Sequence, residues 1–248
     1  MEKVKIINQK GLTIIGSHYS CESESIVIMA HGFTNDKSSN GRFDTLAEAL
    51  LKQGFDSLVF DFSGSGESDD DELTSLNQAN DMESVITFAL KSGYKNLVLF
   101  GNSFGTLACL KNYRDEVKTM ILVGALTDKM VYDWSDYYTK DELKELTEVG
   151  CFLDKTSRKH KISRQTLLDF EEVNQEDLLR DLKCPVLIIH GDHPEDEEEL
   201  LLLKHSRKAL EKLPENSKLK VIKNGRHGLR DEWGQVIDLT CDWLHRHI

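Results

Sequence analysis

A run of strand-forming residues, Leu97-Val98-Leu99-Phe100, leads straight into Gly101-Asn102-Ser103-Phe104-Gly105. Small, helix-compatible residues, Thr106-Leu107-Ala108-Cys109-Leu110, follow at once. A Gly-x-Ser-x-Gly turn between a strand and a helix takes the backbone through a tight reversal. Its serine sits in strained geometry, and its glycines remove the β-carbons that would strike the helix and the neighbouring strand. The hydroxyl is thereby held at the carboxyl end of a sheet, just ahead of a helix N-terminus that favours developing negative charge. A chain built around such a turn needs a sheet before it and a helix after it.

Alternating segments along the chain supply that frame. Residues 4–8 and 12–19 read as short strands flanking Gln9-Lys10-Gly11, a hairpin signal. Residues 26–30 are nearly continuously apolar, as expected of a strand buried on both faces, and end in His31-Gly32-Phe33-Thr34. Phe43, Leu46, Ala47, Leu50 and Leu51 then share one helical face, closed by Gly54. A strand over 55–62 runs into Asp61-Phe62-Ser63-Gly64-Ser65-Gly66-Glu67-Ser68, and a helix bearing Met82, Val85, Ile86, Ala89 and Leu90 stops at Gly93. After the helix that follows Ser103, strands are expected over 117–126, 185–189 and 219–222, with helices over 198–213 and 231–246. Parallel neighbours need crossover helices, so this alternation spells a doubly wound, mostly parallel sheet. Sites in such sheets lie at the carboxyl ends of the strands, where the loops 31–34, 61–68 and 101–105 all fall.

The alternation breaks between about residues 127 and 183. The stretch is rich in aromatic and charged residues, shows no clear strand, and suggests short helices over 139–149 and 163–170 joined by a polar link over 154–161. Thr139 stands as an N-cap ahead of Glu142. The segment reads as a cap inserted over the strand ends of one domain covering residues 1–248.

Composition removes several classes of function. A net charge of −12 disfavours nucleic acid and anionic membrane surfaces, which need clustered Lys and Arg. No apolar run approaches the roughly 20 residues that cross a bilayer, and the start of the chain lacks the apolar core of a signal peptide. Cys21, Cys109, Cys151, Cys184 and Cys241 are odd in number and without Cys-x-x-Cys spacing, which fits reduced thiols in the cytoplasm. Asp69-Asp70-Asp71-Glu72 lacks the spaced ligands and glycine of a calcium loop. Neither a phosphate loop with its lysine nor a His-Glu-x-x-His helix is present, so no metal or cofactor is expected. A small molecule is the expected partner, and a homodimer stays open.

A serine hydroxyl needs an adjacent base, usually a histidine oriented by a carboxylate. Of nine histidines, His227 stands out in the flexible loop Asn224-Gly225-Arg226-His227-Gly228 after the last strand. His31 competes for the role, although its place ahead of Gly32-Phe33 suits bracing of that loop better. His190, at the end of its own strand, reads as structural.

Over essentially its full length the chain resembles an α/β-hydrolase. The resemblance is carried by His31-Gly32-Phe33, Asp61-x-x-Gly64-x-Gly66-x-Ser68, Gly101-x-Ser103-x-Gly105, His190-Gly191-Asp192 and His227, in family order and spacing. It implies a mostly parallel eight-stranded sheet with helices on both faces and a small inserted cap. It also implies Ser103 as nucleophile, His227 as general base, and the backbone N–H groups of Phe33 and Phe104 as the oxyanion hole. In this family the acid usually lies about three residues past the His-Gly pair, where this chain has Pro194, amid Asp192, Glu195, Asp196 and Glu197-Glu198-Glu199. Asp196, close to the expected helix start, is the first choice for the acid, with Asp192 second and Glu195 third. Asp128 would serve if the acid followed the sixth strand. Most of the remaining carboxylates suit the N-terminal end of a helix dipole.

The implied activity is cleavage of carboxylic esters through a Ser-His-Asp triad and an acyl-enzyme. Phe33 and the cap aromatics suggest a partly apolar or aryl acyl group, and the His-Gly-Phe loop is similar to that of small feruloyl- and cinnamoyl-type esterases. Thioester, monoacylglycerol or carbon–carbon bond hydrolysis would use the same triad. A ligand-binding protein that keeps the fold without turnover is the alternative of another class.

Overall fold

Period-two burial decides which way each strand faces. A computed structural model describes residues 1–248. In chain order it contains β1 (Glu2–Ile7), β2 (Thr13–Tyr19), β3 (Ser25–Ala30), α1 (Arg42–Lys52), β4 (Asp56–Phe60), α2 (Ser75–Lys91), β5 (Asn96–Asn102), α3 (Gly105–Lys111) and β6 (Val117–Val123). There follow α4 (Lys140–Val149), β7 (Cys151–Leu153), β8 (Lys161–Ser163), α5 (Arg164–Glu171), α6 (Gln175–Leu179), β9 (Val186–Gly191), α7 (Glu197–Leu210), β10 (Lys218–Ile222) and α8 (Trp233–His247). Eight strands form one sheet in the order β1-β2-β4-β3-β5-β6-β9-β10, and β7 and β8 form a separate hairpin. Only β2 runs against its neighbours; β4 through β10 are parallel along that order.

Along β3, Ile26 and Ile28 enter the core on one face of the sheet, whereas Val27 and Met29 enter the core on the other. Leu97 and Leu99 against Val98 and Phe100 repeat the division in β5. The first face packs on Met82, Val85 and Ile86 of α2, Cys109 of α3 and Ala209 of α7. The second packs on Phe43, Leu46 and Leu50 of α1 and on Trp233, Val236 and Trp243 of α8. Helices therefore cover both faces, and the central strands are apolar on both sides because almost every residue along them is buried.

Residues 124–185 lie between β6 and β9, and here the structure departs from the sequence expectation. The supposed link over 154–161 is mostly the turn of the β7–β8 hairpin, with Cys151 opposite Ser163 and Leu153 opposite Lys161. Strands of three residues are too short for alternation to show. The short helix α6 was likewise not expected. The expected cap at Thr139 is present as a full capping box with Glu142. Phe170, Leu126 and Met130 pack directly on Phe104 and Leu107 of the turn around Ser103.

Candidate active site

β5 ends in the turn that presents Ser103, whose φ of 51° places a non-glycine residue in the left-handed region. The ends of neighbouring elements hold it there. The Ser103 N–H donates to the Val123 carbonyl at the end of β6 (2.8 Å), and the Ser103 carbonyl accepts from the Thr106 N–H (2.9 Å) and hydroxyl (2.6 Å). Gly105 must be a glycine for reasons of space, since a β-carbon there would lie 2.4 Å from the His31 carbonyl oxygen. That contact brings the loop after β3 against the turn.

His31 is fully buried, and its role is bracing. Its Nδ1 donates to the Gly32 carbonyl (2.9 Å), and its Nε2 accepts from the Phe62 N–H (3.2 Å). Burial depresses its pKa, which keeps the ring neutral. Asp61 braces the next loop by accepting from the Lys37 N–H and ammonium (both 2.7 Å) and the Glu67 N–H (2.9 Å). The N–H groups of Phe33 and Phe104 donate to no group in the protein. Phe104 is the chain neighbour of Ser103, and Gly32 approaches so closely that a β-carbon there would lie 3.3 Å from Ser103 Cβ.

His227, in the loop after β10, reaches the serine, with Nε2 lying 2.9 Å from Ser103 Oγ. Gly124, at φ 57°, leaves room for the ring, because a β-carbon there would stand 2.8 Å from His227 Cε1. The other ring nitrogen, Nδ1, lies 2.6 Å from Oε2 of Glu199, a side chain that is 0% exposed. Glu199 Oε1 accepts from His190 Nδ1 (2.8 Å) and from the Gly191 N–H (2.8 Å). Burial opposes ionisation of Glu199, but the hydrogen bonds and charges of His190 and His227 outweigh it and hold the carboxyl at about 2. Burial likewise opposes the charged form of His227, and the Glu199 hydrogen bond and charge reverse this, raising its pKa above the usual histidine value.

The carboxylate that faces His227 is thus Glu199, and the expectation of Asp196 or Asp192 is corrected. Asp196 caps α7, with one oxygen accepting from the Glu199 N–H (3.0 Å) and the other from the His227 N–H (2.8 Å). It touches the histidine through the backbone and leaves the ring to Glu199. Asp192 accepts from the Asn224 N–H (2.6 Å), and Glu195 pairs with Arg226 at the surface (2.9 Å). Asp128 accepts from the Lys129 N–H alone. A sequence signal for Glu199 does exist. Glu199, Leu202, Leu203, Ser206 and Ala209 form the buried stripe of α7, and an ionisable residue on such a stripe requires a buried partner.

A cavity of about 630 Å³ opens beside Ser103 and His227. Phe33, Trp134, Tyr138 and Phe170 supply aromatic walls, while Asn35, Lys155, Thr156 and Arg230 lie on its polar side. Phe33 meets Phe104 and Phe170 edge-on, with ring centres 5.6 and 5.4 Å apart. The Tyr132 hydroxyl donates to Glu198 (2.8 Å), which ties the 124–185 segment to the first turn of α7. No group of side chains here or elsewhere in the protein is arranged to hold a metal ion, and no helix is long and apolar enough to cross a membrane.

Residues 25–145 match a family model described as the alpha/beta hydrolase fold. No curated protein sequence matches the chain. Among solved structures, an alpha/beta hydrolase from Penicillium sp. sh18 is 18% identical, with a TM-score of 0.78 over 99% of this chain and 98% of its own. An esterase from Exiguobacterium antarcticum is 21% identical, with a TM-score of 0.75 over 98% of this chain and 100% of its own. A protein from Butyrivibrio proteoclasticus, solved with ferulic acid bound, is 20% identical, with a TM-score of 0.74 over 98% and 99%. Together with the sheet order, these likenesses establish the architecture shared by all three.

Proposed function

We propose that this chain, an α/β-hydrolase by fold, is a serine hydrolase that cleaves carboxylic esters through Ser103, His227 and Glu199. The observation that carries the reading is the unbroken line from Ser103 Oγ to His227 Nε2 (2.9 Å) and from His227 Nδ1 to Glu199 (2.6 Å). With its Nδ1–H donated to the carboxylate, neutral His227 turns the lone pair of Nε2 towards the serine hydroxyl. His227 takes the proton as Ser103 Oγ bonds to the acyl carbon, and Glu199 stabilises the imidazolium without itself becoming protonated. The free N–H groups of Phe33 and Phe104 receive the developing oxyanion, a contribution of about 10²–10³ in rate for each such donor. Collapse of the intermediate sends the proton to the leaving alcohol. A water that gives its proton to His227 then releases the acid from Ser103.

The segment over residues 124–185 acts as a cap in this reading. Its aromatic residues suit a partly apolar or aryl acyl group, and the cavity of about 630 Å³ is of the size that takes a small-molecule ester. The location is proposed to be the cytoplasm, in keeping with five unpaired cysteines. The test is a panel of 4-nitrophenyl esters of graded acyl length and of cinnamoyl type, with a thioester included. Wild type should turn over at least one ester, and Ser103→Ala should abolish that turnover. Ligand binding with no Ser103-dependent turnover on any member would replace the reading with a non-hydrolytic binding protein.

A further inference from the structure

We infer that His190 is a positioning residue for the reaction: it clamps Glu199 so that one carboxylate oxygen alone is presented to His227. The inference rests on the serine-hydrolase reading and extends it to a residue that touches neither Ser103 nor His227. His190 lies one residue before the end of β9 and is 0% exposed. Its Nδ1 lies 2.8 Å from Glu199 Oε1, and its Nε2 lies 2.8 Å from the hydroxyl of Ser206. Glu199 and Ser206 are seven residues apart on the buried stripe of α7, so the ring spans two points on one helix face.

Hydrogen positions follow from the donors available. Glu199 is ionised and can only accept, so His190 Nδ1 carries the proton that it donates. Nε2 bonds to the Ser206 hydroxyl, and both nitrogens are used. Turning the ring over would set C–H groups against the carboxylate and the hydroxyl. On the carboxylate side, Oε1 accepts two N–H groups, from His190 and Gly191, each fixed to β9. Rotating the carboxylate would break both bonds, which leaves Oε2 aimed at His227. A buried, charge-assisted pair of donors is stiffer than one, because each holds the acceptor along its own direction. His190 therefore sets the orientation of the imidazole two contacts away, and with it the direction of the lone pair that faces Ser103.

A merely structural histidine would alter stability and leave turnover per folded molecule unchanged. Hydrolysis of 4-nitrophenyl butyrate should separate the two roles. His190→Leu should lower kcat about 10- to 100-fold with KM unchanged, the range that one charge-assisted hydrogen bond covers in a rate. His190→Asn, whose amide N–H can stand near the position of the Nδ1–H, should recover most of that loss. The low-field proton resonance of the His227 Nδ1–H should shift in the leucine variant and return in the asparagine variant. Where the leucine variant does not fold, Ser206→Ala carries the same test by removing only the far support of the ring, and it should lower kcat and shift the resonance. Wild-type kcat and an unmoved resonance in His190→Leu or Ser206→Ala, with Ser103→Ala inactive, overturns the clamp and leaves the hydrolase standing. Full turnover in Ser103→Ala overturns the hydrolase reading itself.

Discussion

At the residue scale, the contact between His227 and Glu199 sets how activity should depend on pH. The raised pKa of His227 lies above the ordinary 6.5, and only the unprotonated ring can accept the serine proton. kcat/KM should therefore rise with pH and level off above that value. Glu199→Gln removes the charge that raises the pKa and leaves burial unopposed. The acidic limb should then move below that of wild type, while kcat falls about 10²–10⁴-fold, as when the orienting member of a triad is lost. Asp196→Asn should cost much less, because Asp196 supports backbone N–H groups and not the ring. pH–rate profiles of the two variants check the assignment, and a greater loss in Asp196→Asn would reverse it. The meeting of Ser103 and His227 was legible because each stands in a short motif at a strand end. Glu199 was not, because the spacing expected for the acid counts loop residues, whereas this carboxylate sits inside a helix among five other acids. Its burial on a leucine-bearing stripe was the informative property, and it becomes visible only once the helix phase is known.

At the scale of elements, the stretch between β6 and β9 is legible in sequence where local chemistry dominates, as at the start of α4, and not where distant contacts do, as in the β7–β8 hairpin. Thr139 and Glu142 announce a helix start by reciprocal hydrogen bonds between residues three apart. The β7–β8 hairpin is held by contacts with distant residues, among them the bridge between Lys161 and Glu72, which no local pattern announces. The segment is also pinned to α2, because Asp169 of α5 accepts from the Ser75 N–H at 2.6 Å in a buried setting. Asp169→Ala leaves that N–H unpaired, a cost of about 1–3 kcal/mol. Its effect on Tm should be accompanied by a higher KM for the best ester with kcat little altered, since α5 lines the cavity through Phe170 and makes no hydrogen bond to Ser103, His227 or Glu199. A change confined to kcat would place the segment in the chemical step.

At the scale of the whole molecule, the parallel sheet was legible because β3, β4 and β9 are buried throughout and β5 and β6 are buried apart from Asn96 and Lys118, so apolar runs punctuated by glycine loops carry the topology. Acid stability should report on the centre of that structure. Glu199 is held at about 2 against an ordinary 4.5, so its contribution to stability is complete above 4.5 and is lost as pH falls towards 2. His227, whose pKa is raised, contributes fully below 6.5 and loses that contribution as pH climbs through its folded value. The two together give most between 4.5 and 6.5. The difference in Tm between wild type and Glu199→Gln should therefore be greatest in that window and shrink on both sides; a difference that does not vary with pH would show that the pair adds no charge-dependent stability. The protein is most reinforced where His227 is protonated, and on the proposed mechanism should turn over fastest where that reinforcement is fading. The carboxylate behind the base also moves with a helix that is packed along its length on the sheet, not with the loop ahead of it. Between the backbone bonds made by His193 and Asp196 stand only Pro194 and the exposed Glu195. That stretch is accordingly a place where the chain can be lengthened or exchanged to reshape the rim of the cavity, with the acid still delivered to the same point by α7.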